Sequence, residues 1–287
     1  MRRVSLRRDE QSESLDEGSV RSEEEQEEDL LPPRRRFGPV RRHREEPPQE
    51  ESRPPPRPAS PPPLEGTVEM TDYRKCTGLP SAGMMVITGV TGTGKTELVR
   101  RMVLDSYKRY HDCHLFCSTA LEQPESYEWL PSSKKTTEVD EDTLITFVEK
   151  HKKRNRGKEE SKRYRMLLIL DDVIGDVNMK NSKFIDGMAS KCRHWGLMVV
   201  ILTQNLKHVS PTIRNNSSRI YVTKLHEHDL KTLHTIAGGG SIGDFMKYMK
   251  RACVDYQVIL FDLKAGYGQS RMCFKFPRAE RFRVEVP

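Results

Sequence analysis

Residues Gly89-Val90-Thr91-Gly92-Thr93-Gly94-Lys95-Thr96 decide the fold. They match G-x-x-x-x-G-K-[ST], the phosphate-binding loop of nucleoside triphosphatases. Glycines let the backbone curl so that several N–H groups point at one anion. The helix that follows turns its positive end toward the same phosphates. In this pattern the whole stretch from Gly89 to Thr96 cradles the nucleotide. Lys95 reaches the β- and γ-phosphates, and the Thr96 hydroxyl holds Mg²⁺. The flanks are those the motif requires. Met84-Met85-Val86-Ile87-Thr88 is a short apolar, β-prone run, and Glu97 to Leu104 carries apolar residues at helical spacing.

A second segment completes such a site. Met166-Leu167-Leu168-Ile169-Leu170-Asp171-Asp172 is an apolar strand that ends in a pair of carboxylates. Phosphoryl transfer to water needs one acid beside the metal and one to orient or deprotonate the water. Asp171, at the strand's end, is expected to hold Mg²⁺ through its water shell. Asp172 is the candidate catalytic carboxylate, with a shorter reach than the Glu that many related enzymes carry there. The next apolar run, Leu197 to Thr203, ends in Gln204-Asn205. Gln204 suits a sensor of the γ-phosphate, because an amide donates to phosphate and accepts from water. Charge on the transferring phosphoryl group also calls for an arginine, often from a neighbouring subunit. Arg214, within Ser210-Pro211-Thr212-Ile213-Arg214-Asn215-Asn216, is the first choice, with Arg219 and Arg193 in reserve.

Composition divides the 287-residue chain in two. Residues 1–66 hold 12 of the 18 prolines, 13 Arg, no Lys and 16 Asp+Glu, a net charge of 13 − 16 = −3. Phe37 is their only aromatic residue. Such a segment cannot bury enough apolar surface to offset its ordering entropy, and it reads as a disordered tail. It carries an acidic block from Ser22 to Asp29, the basic clusters Arg34-Arg35-Arg36 and Arg41-Arg42-His43-Arg44, and proline runs that favour polyproline II. Nuclear import, polyanion binding, docking to an aromatic groove and a plain solvated tether are the readings open for it. Residues 67–287 carry 36 − 26 = +10, and their length suits one α/β domain. The basic excess favours a polyanionic partner.

Past residue 67, apolar runs alternate with helical patterns. Strands are expected at Met84–Thr88, His114–Ser118, Met166–Leu170, Leu197–Thr203, Arg219–Lys224, Val258–Leu263 and Met272–Phe276. Helices are expected near Lys95–Tyr110, Glu141–Lys152, Ser182–His194, Glu227–Ala237 and Ile242–Ala252. Alternation implies right-handed crossovers and a mostly parallel sheet with helices on both faces. His151–Arg165 is a basic insertion, either an exposed loop or part of a DNA-contacting surface. His111-Asp112-Cys113-His114-Leu115-Phe116-Cys117 superficially resembles a metal cluster but reads better as a strand. The N-terminus lacks the apolar core of a secretory signal, and no run approaches the roughly 18 apolar residues of a membrane span. Scattered cysteines then fit free thiols in a reducing compartment.

These motifs together resemble the DNA-packaging ATPases of large and medium double-stranded DNA viruses, within the FtsK–HerA superfamily. The resemblance rests on the glycine loop, on Leu168-Ile169-Leu170-Asp171-Asp172, on Arg193-His194-Trp195-Gly196-Leu197 through Gln204-Asn205, and on Ser210 to Asn216. It implies a RecA-like ATPase that uses ATP and Mg²⁺ and forms a homo-oligomeric ring. Such a ring pulls duplex DNA, without reading its sequence, into a capsid through a capsid or portal-type virion protein. It implies a place in the infected host cell, in nucleus or cytoplasm, or in the virion. Other readings are a different P-loop translocase or helicase, a small-molecule kinase, and a nucleotide-bound structural or adaptor component of the virion. A GTPase would want an Asn-Lys-x-Asp stretch, which the chain lacks.

Overall fold

The computed structural model describes residues 68–173, 181–265 and 271–278, all within one compact unit spanning residues 57–287. The disordered tail expected at residues 1–66 therefore lies outside the described residues. In chain order the elements are α1 (Arg74–Thr77), β1 (Gly83–Thr88), α2 (Lys95–Ser106), β2 (Asp112–Phe116) and β3 (Lys135–Thr136). There follow α3 (Glu141–Asn155), β4 (Met166–Asp171), α4 (Lys183–Lys191), β5 (Leu197–Thr203) and α5 (Pro211–Asn216). The last are β6 (Arg219–Val222), α6 (Glu227–Ala237), α7 (Ile242–Ala252), β7 (Val258–Asp262) and β8 (Arg271–Phe274).

Among the described residues, the strands join one eight-stranded sheet in the order β3-β2-β4-β5-β1-β6-β7-β8. The pairings from β3 through β6 are parallel, as the alternation of strands and helices implied. The pairings β6–β7 and β7–β8 are antiparallel. The first reversal has a mechanical cause. One crossover helix returns the chain to the end where a strand started, whereas the pair α6 and α7 runs out and back and leaves β7 at the end where β6 stopped.

Every residue of β1, β4 and β5 is buried. Their side chains alternate between two cores, one on each face of the sheet. Met84, Val86, Leu168 and Leu170 pack with α3, α4, α6 and α7. Met85, Ile87, Leu167 and Ile169 pack with α1, α2 and Trp129. Helices on both faces explain why these strands read as continuous apolar runs. Among the described residues, no helix is long and apolar enough to cross a membrane.

Several boundaries differ from expectation. The helix expected to reach Tyr110 tightens into a 3₁₀ turn at Tyr107–Arg109, and the one expected to reach His194 does so at Cys192–Trp195. The third helix runs past Lys152 to Asn155, so the basic insertion begins only after it. Asn155 anchors that last turn. Its side chain donates to the Tyr164 and Trp195 carbonyls at 2.8 and 2.7 Å and accepts from Tyr164 N at 2.8 Å. The stretch around Arg214 is a helix, with Ser210 accepting from Ile213 N and Pro211 in its first turn. The metal-like His/Cys segment forms β2, whose edge pairs with the unexpected β3.

Leu168→Ala in β4 should cost about 2–5 kcal/mol of stability, because the neighbouring strands leave little room for collapse. Urea unfolding checks it, and a loss under about 1 kcal/mol would contradict a close-packed central sheet.

Candidate nucleotide-binding site

Strand order assembles the site. β5 lies between β1 and β4, and the parallel register sets Thr88 beside Thr203 and Asp171 beside Leu202. The C-terminal ends of these strands therefore open onto one edge of the sheet. A cleft of about 490 Å³ lies there. Its walls include Thr91, Lys95, Thr96, Asp171, Asp172 and Gln204.

The glycine loop is held from both sides. Gly89 N donates to the Thr203 carbonyl at 3.2 Å and Val90 N to the Lys224 carbonyl at 2.8 Å. The Thr93 hydroxyl donates to the Val90 carbonyl and meets the Thr223 hydroxyl, both at 2.7 Å. Gly89 has no room for a side chain: a Cβ there would stand 1.8 Å from Thr223 Oγ1. Gly92 and Gly94 sit at φ 75° and 88°, where L residues are strained. Gly94 also precedes α2, and no side chain caps that helix start. A glycine cradle before an uncapped helix fits a phosphate group.

Lys95 donates from Nζ to the Gly89 and Val90 carbonyls at 2.8 and 3.1 Å, within the loop itself. Burial pulls its pKa below the ordinary lysine value, against the opposing charges of Asp171 and Asp172. Asp171 is buried, and its Oδ2 accepts hydrogen bonds from the Thr96 hydroxyl at 3.4 Å and from Tyr127 OH. Burial raises the Asp171 carboxyl above its usual range, opposed by the Tyr127 hydrogen bond and the Lys95 charge. A hydroxyl and a carboxylate so placed suit a hard, oxygen-seeking cation such as Mg²⁺.

Asp172 is exposed, in the left-handed region at φ 51°. Its Oδ2 accepts from Gln204 Nε2 at 2.9 Å, while Gln204 Oε1 accepts from the Thr91 hydroxyl at 2.8 Å. Gln204 thus bridges the glycine loop to the second acid. Arg214 is not among the residues lining this cleft. It sits half-buried on α5, where burial lowers its pKa against the charge of Asp229 on α6. The reserves are engaged in the fold: Arg219 bonds the Gly78 carbonyl at 2.9 Å and pairs with Asp262, and Arg193 reaches the Asn216 carbonyl at 3.5 Å.

Sequence reading missed Tyr127, Thr223 and Tyr256. Tyr127 lies in a 3₁₀ turn between β2 and β3, without periodicity or motif. Thr223, just past the end of β6, gave no local signal: its place beside the loop follows from the pairing of β6 with β1.

An α/β sheet with a glycine-loop cleft at the carboxyl ends of its central parallel strands defines a P-loop nucleotide-binding protein. Residues 74–280 match the family described as Poxvirus A32 protein, and the chain belongs to that family. It is similar to protein 015R of Frog virus 3 (isolate Goorha), 22% identical over 181 residues, covering 62% of this chain and 56% of that protein. It is also similar to protein 075L of Invertebrate iridescent virus 6, 24% identical over 184 residues, covering 63% of this chain and 70% of that protein. Its fold resembles the genome packaging NTPase B204 of Sulfolobus turreted icosahedral virus 2 in complex with ATPγS. There the TM-score is 0.52 at 15% identity, covering 69% of this chain and 98% of that one. The same NTPase in complex with AMPPCP gives a TM-score of 0.52 at 16% identity, with the same coverage.

Gly89→Ala is expected to lower the melting temperature through its clash with Thr223. Adding Thr223→Ala to the same chain should recover part of the loss. Thermal unfolding checks both, and an unchanged midpoint in the single variant would contradict the tight loop.

Proposed function

We propose that this chain is the ATPase of a motor that moves double-stranded viral DNA into a capsid. One observation carries the reading: Lys95 and Thr96 share a cleft with Asp171, Asp172 and Gln204, in a member of a poxvirus-type protein family. The likeness to a viral packaging NTPase supports it at the level of fold.

In this reading the loop from Gly89 to Thr96 binds the ATP phosphates, with backbone N–H groups and Lys95 as the positive clamp. Thr96 and Asp171 would hold Mg²⁺. Bound Mg²⁺ supplies positive charge against the phosphate oxygens. Tyr127 fixes the Asp171 carboxylate by its hydrogen bond. Asp172 aligns the attacking water and takes its proton. Gln204 bridges Thr91 and Asp172, which suits a group that registers the γ-phosphate at the point where the water must sit. Arg214 stands away from its own cleft, which favours a role toward a neighbouring subunit in a homo-oligomeric ring. The net +10 of residues 67–287 supplies charge for sequence-independent contacts to DNA phosphates. A capsid or portal-type virion protein completes the set of partners, and the infected host cell is the site of action.

Lys95→Ala should abolish ATP hydrolysis, and duplex DNA should stimulate the wild-type protein. Phosphate release with and without DNA measures both. Wild-type turnover in the variant would show that the loop is not the site. Stimulation by single strands alone would point to a helicase, and no stimulation in an assembled oligomer would point to an adaptor.

Arg214→Ala should leave ATP binding near normal and cut turnover in the oligomer by roughly 10³-fold, the scale of an arginine acting in trans. Mixing it with Lys95→Ala subunits should restore part of the rate; no rescue at any ratio would count against the assignment.

A further inference from the structure

Tyr256 occupies a position that the fold alone does not account for. It lies between α7 and β7 in a turn closed by a 2.8 Å hydrogen bond from Gln257 N to the Val254 carbonyl. The central residues of that turn, Asp255 and Tyr256, sit at φ 48° and 60°. Positive φ at both positions marks a type I′ turn, for which Asp-Gly is the relaxed pair. The chain has the Asp and then places a tyrosine where glycine would relieve the strain. The ring is 72% exposed. Among the described residues, its hydroxyl has no hydrogen-bond partner. Strain and exposure of a large aromatic group, kept together, point to work done outside the fold.

The ring's position says what that work is. Tyr256 forms part of the wall of the cleft that holds Lys95, Thr96 and Asp171. It also borders an adjoining cavity of about 250 Å³, lined by Gly92, Thr93, Thr223, Lys224 and Gln257 among others. A Cβ placed on Gly94 would come 3.5 Å from Tyr256 Cδ1, so the ring lies against the glycine loop itself. A nucleotide anchored there by its phosphates carries a flat, polarisable base on a short sugar tether. An exposed aromatic face beside the anchor is the chemistry that receives such a base.

We propose that Tyr256 is the platform on which the base of the bound nucleotide stacks, a nucleobase subsite shared by the cleft and the cavity beside it. The proposal rests on the phosphate-site reading given above. Stacking is tolerant of base identity, so the subsite takes nucleoside triphosphates as a class.

Calorimetry with ATP and with inorganic tripolyphosphate, both with Mg²⁺, tests it. Tyr256→Ala should weaken ATP binding by about tenfold and leave tripolyphosphate binding unchanged. Tyr256→Phe should bind ATP as the wild type does. Tyr256→Gly should lose ATP affinity as the Ala variant does while melting at a higher temperature than wild type, because the turn relaxes. Equal ATP affinity in wild type and Tyr256→Ala would overturn the stacking alone. Parallel loss of ATP and tripolyphosphate would overturn it as well, since that pattern reports a distorted loop. Wild-type protein that binds neither ligand would overturn the phosphate-site reading and this subsite with it.

Discussion

The position of one strand governs the rest. β5 separates the loop-bearing β1 from the acid-bearing β4, so the backbones of those two strands stand about 10 Å apart, two strand spacings. Side chains span that gap: the Thr96 hydroxyl reaches Asp171 Oδ2 at 3.4 Å. The residue at the tip of the intervening strand fills the middle. Gln204 takes a hydrogen bond from Thr91 on one side and gives one to Asp172 on the other. A register slip of one residue in β5 would turn Thr203 and Gln204 to opposite faces and break both links.

Burial sets the electrostatics within that frame. Asp171 is a carboxylate enclosed between the sheet and the segment after β2, and its desolvation disfavours charge. The Tyr127 hydroxyl and the Lys95 ammonium act in the opposite direction, so the acid is held by an oriented donor and a nearby cation rather than by water. Asp172, one residue on, is exposed and turned by its left-handed backbone toward Gln204. Adjacent acids thus occupy different surroundings, which suits separate tasks at one reaction centre.

Much of this was legible in the order of residues because the information was local. The glycine loop, the apolar strand ending in Asp171-Asp172 and the strand ending in Thr203-Gln204 are contiguous patterns, and their parallel arrangement follows from the alternation of strands and helices. What stayed hidden depends on register or on short, aperiodic pieces. Tyr127 reaches Asp171 from 44 positions away through an irregular segment. Thr223 matters only because β6 pairs beside β1. β3 has two residues and α5 six, both too short to show a period. The antiparallel β7 follows from the helix pair α6 and α7, whose count was visible but whose consequence for strand direction was not drawn from alternation alone. Arg214 was read as the arginine for the phosphoryl group, often supplied by a neighbouring subunit, and the short helix α5 carries it outside the cleft of its own chain.

A crystal structure grown with Mg²⁺ and AMPPCP measures the central claim directly. The terminal phosphate is expected between Lys95 and the Asp171-Asp172 tip, with Mg²⁺ on the Thr96 side and Gln204 at its flank. A nucleotide bound anywhere else, or one whose phosphates touch the glycine loop while the acids face away from them, would contradict it.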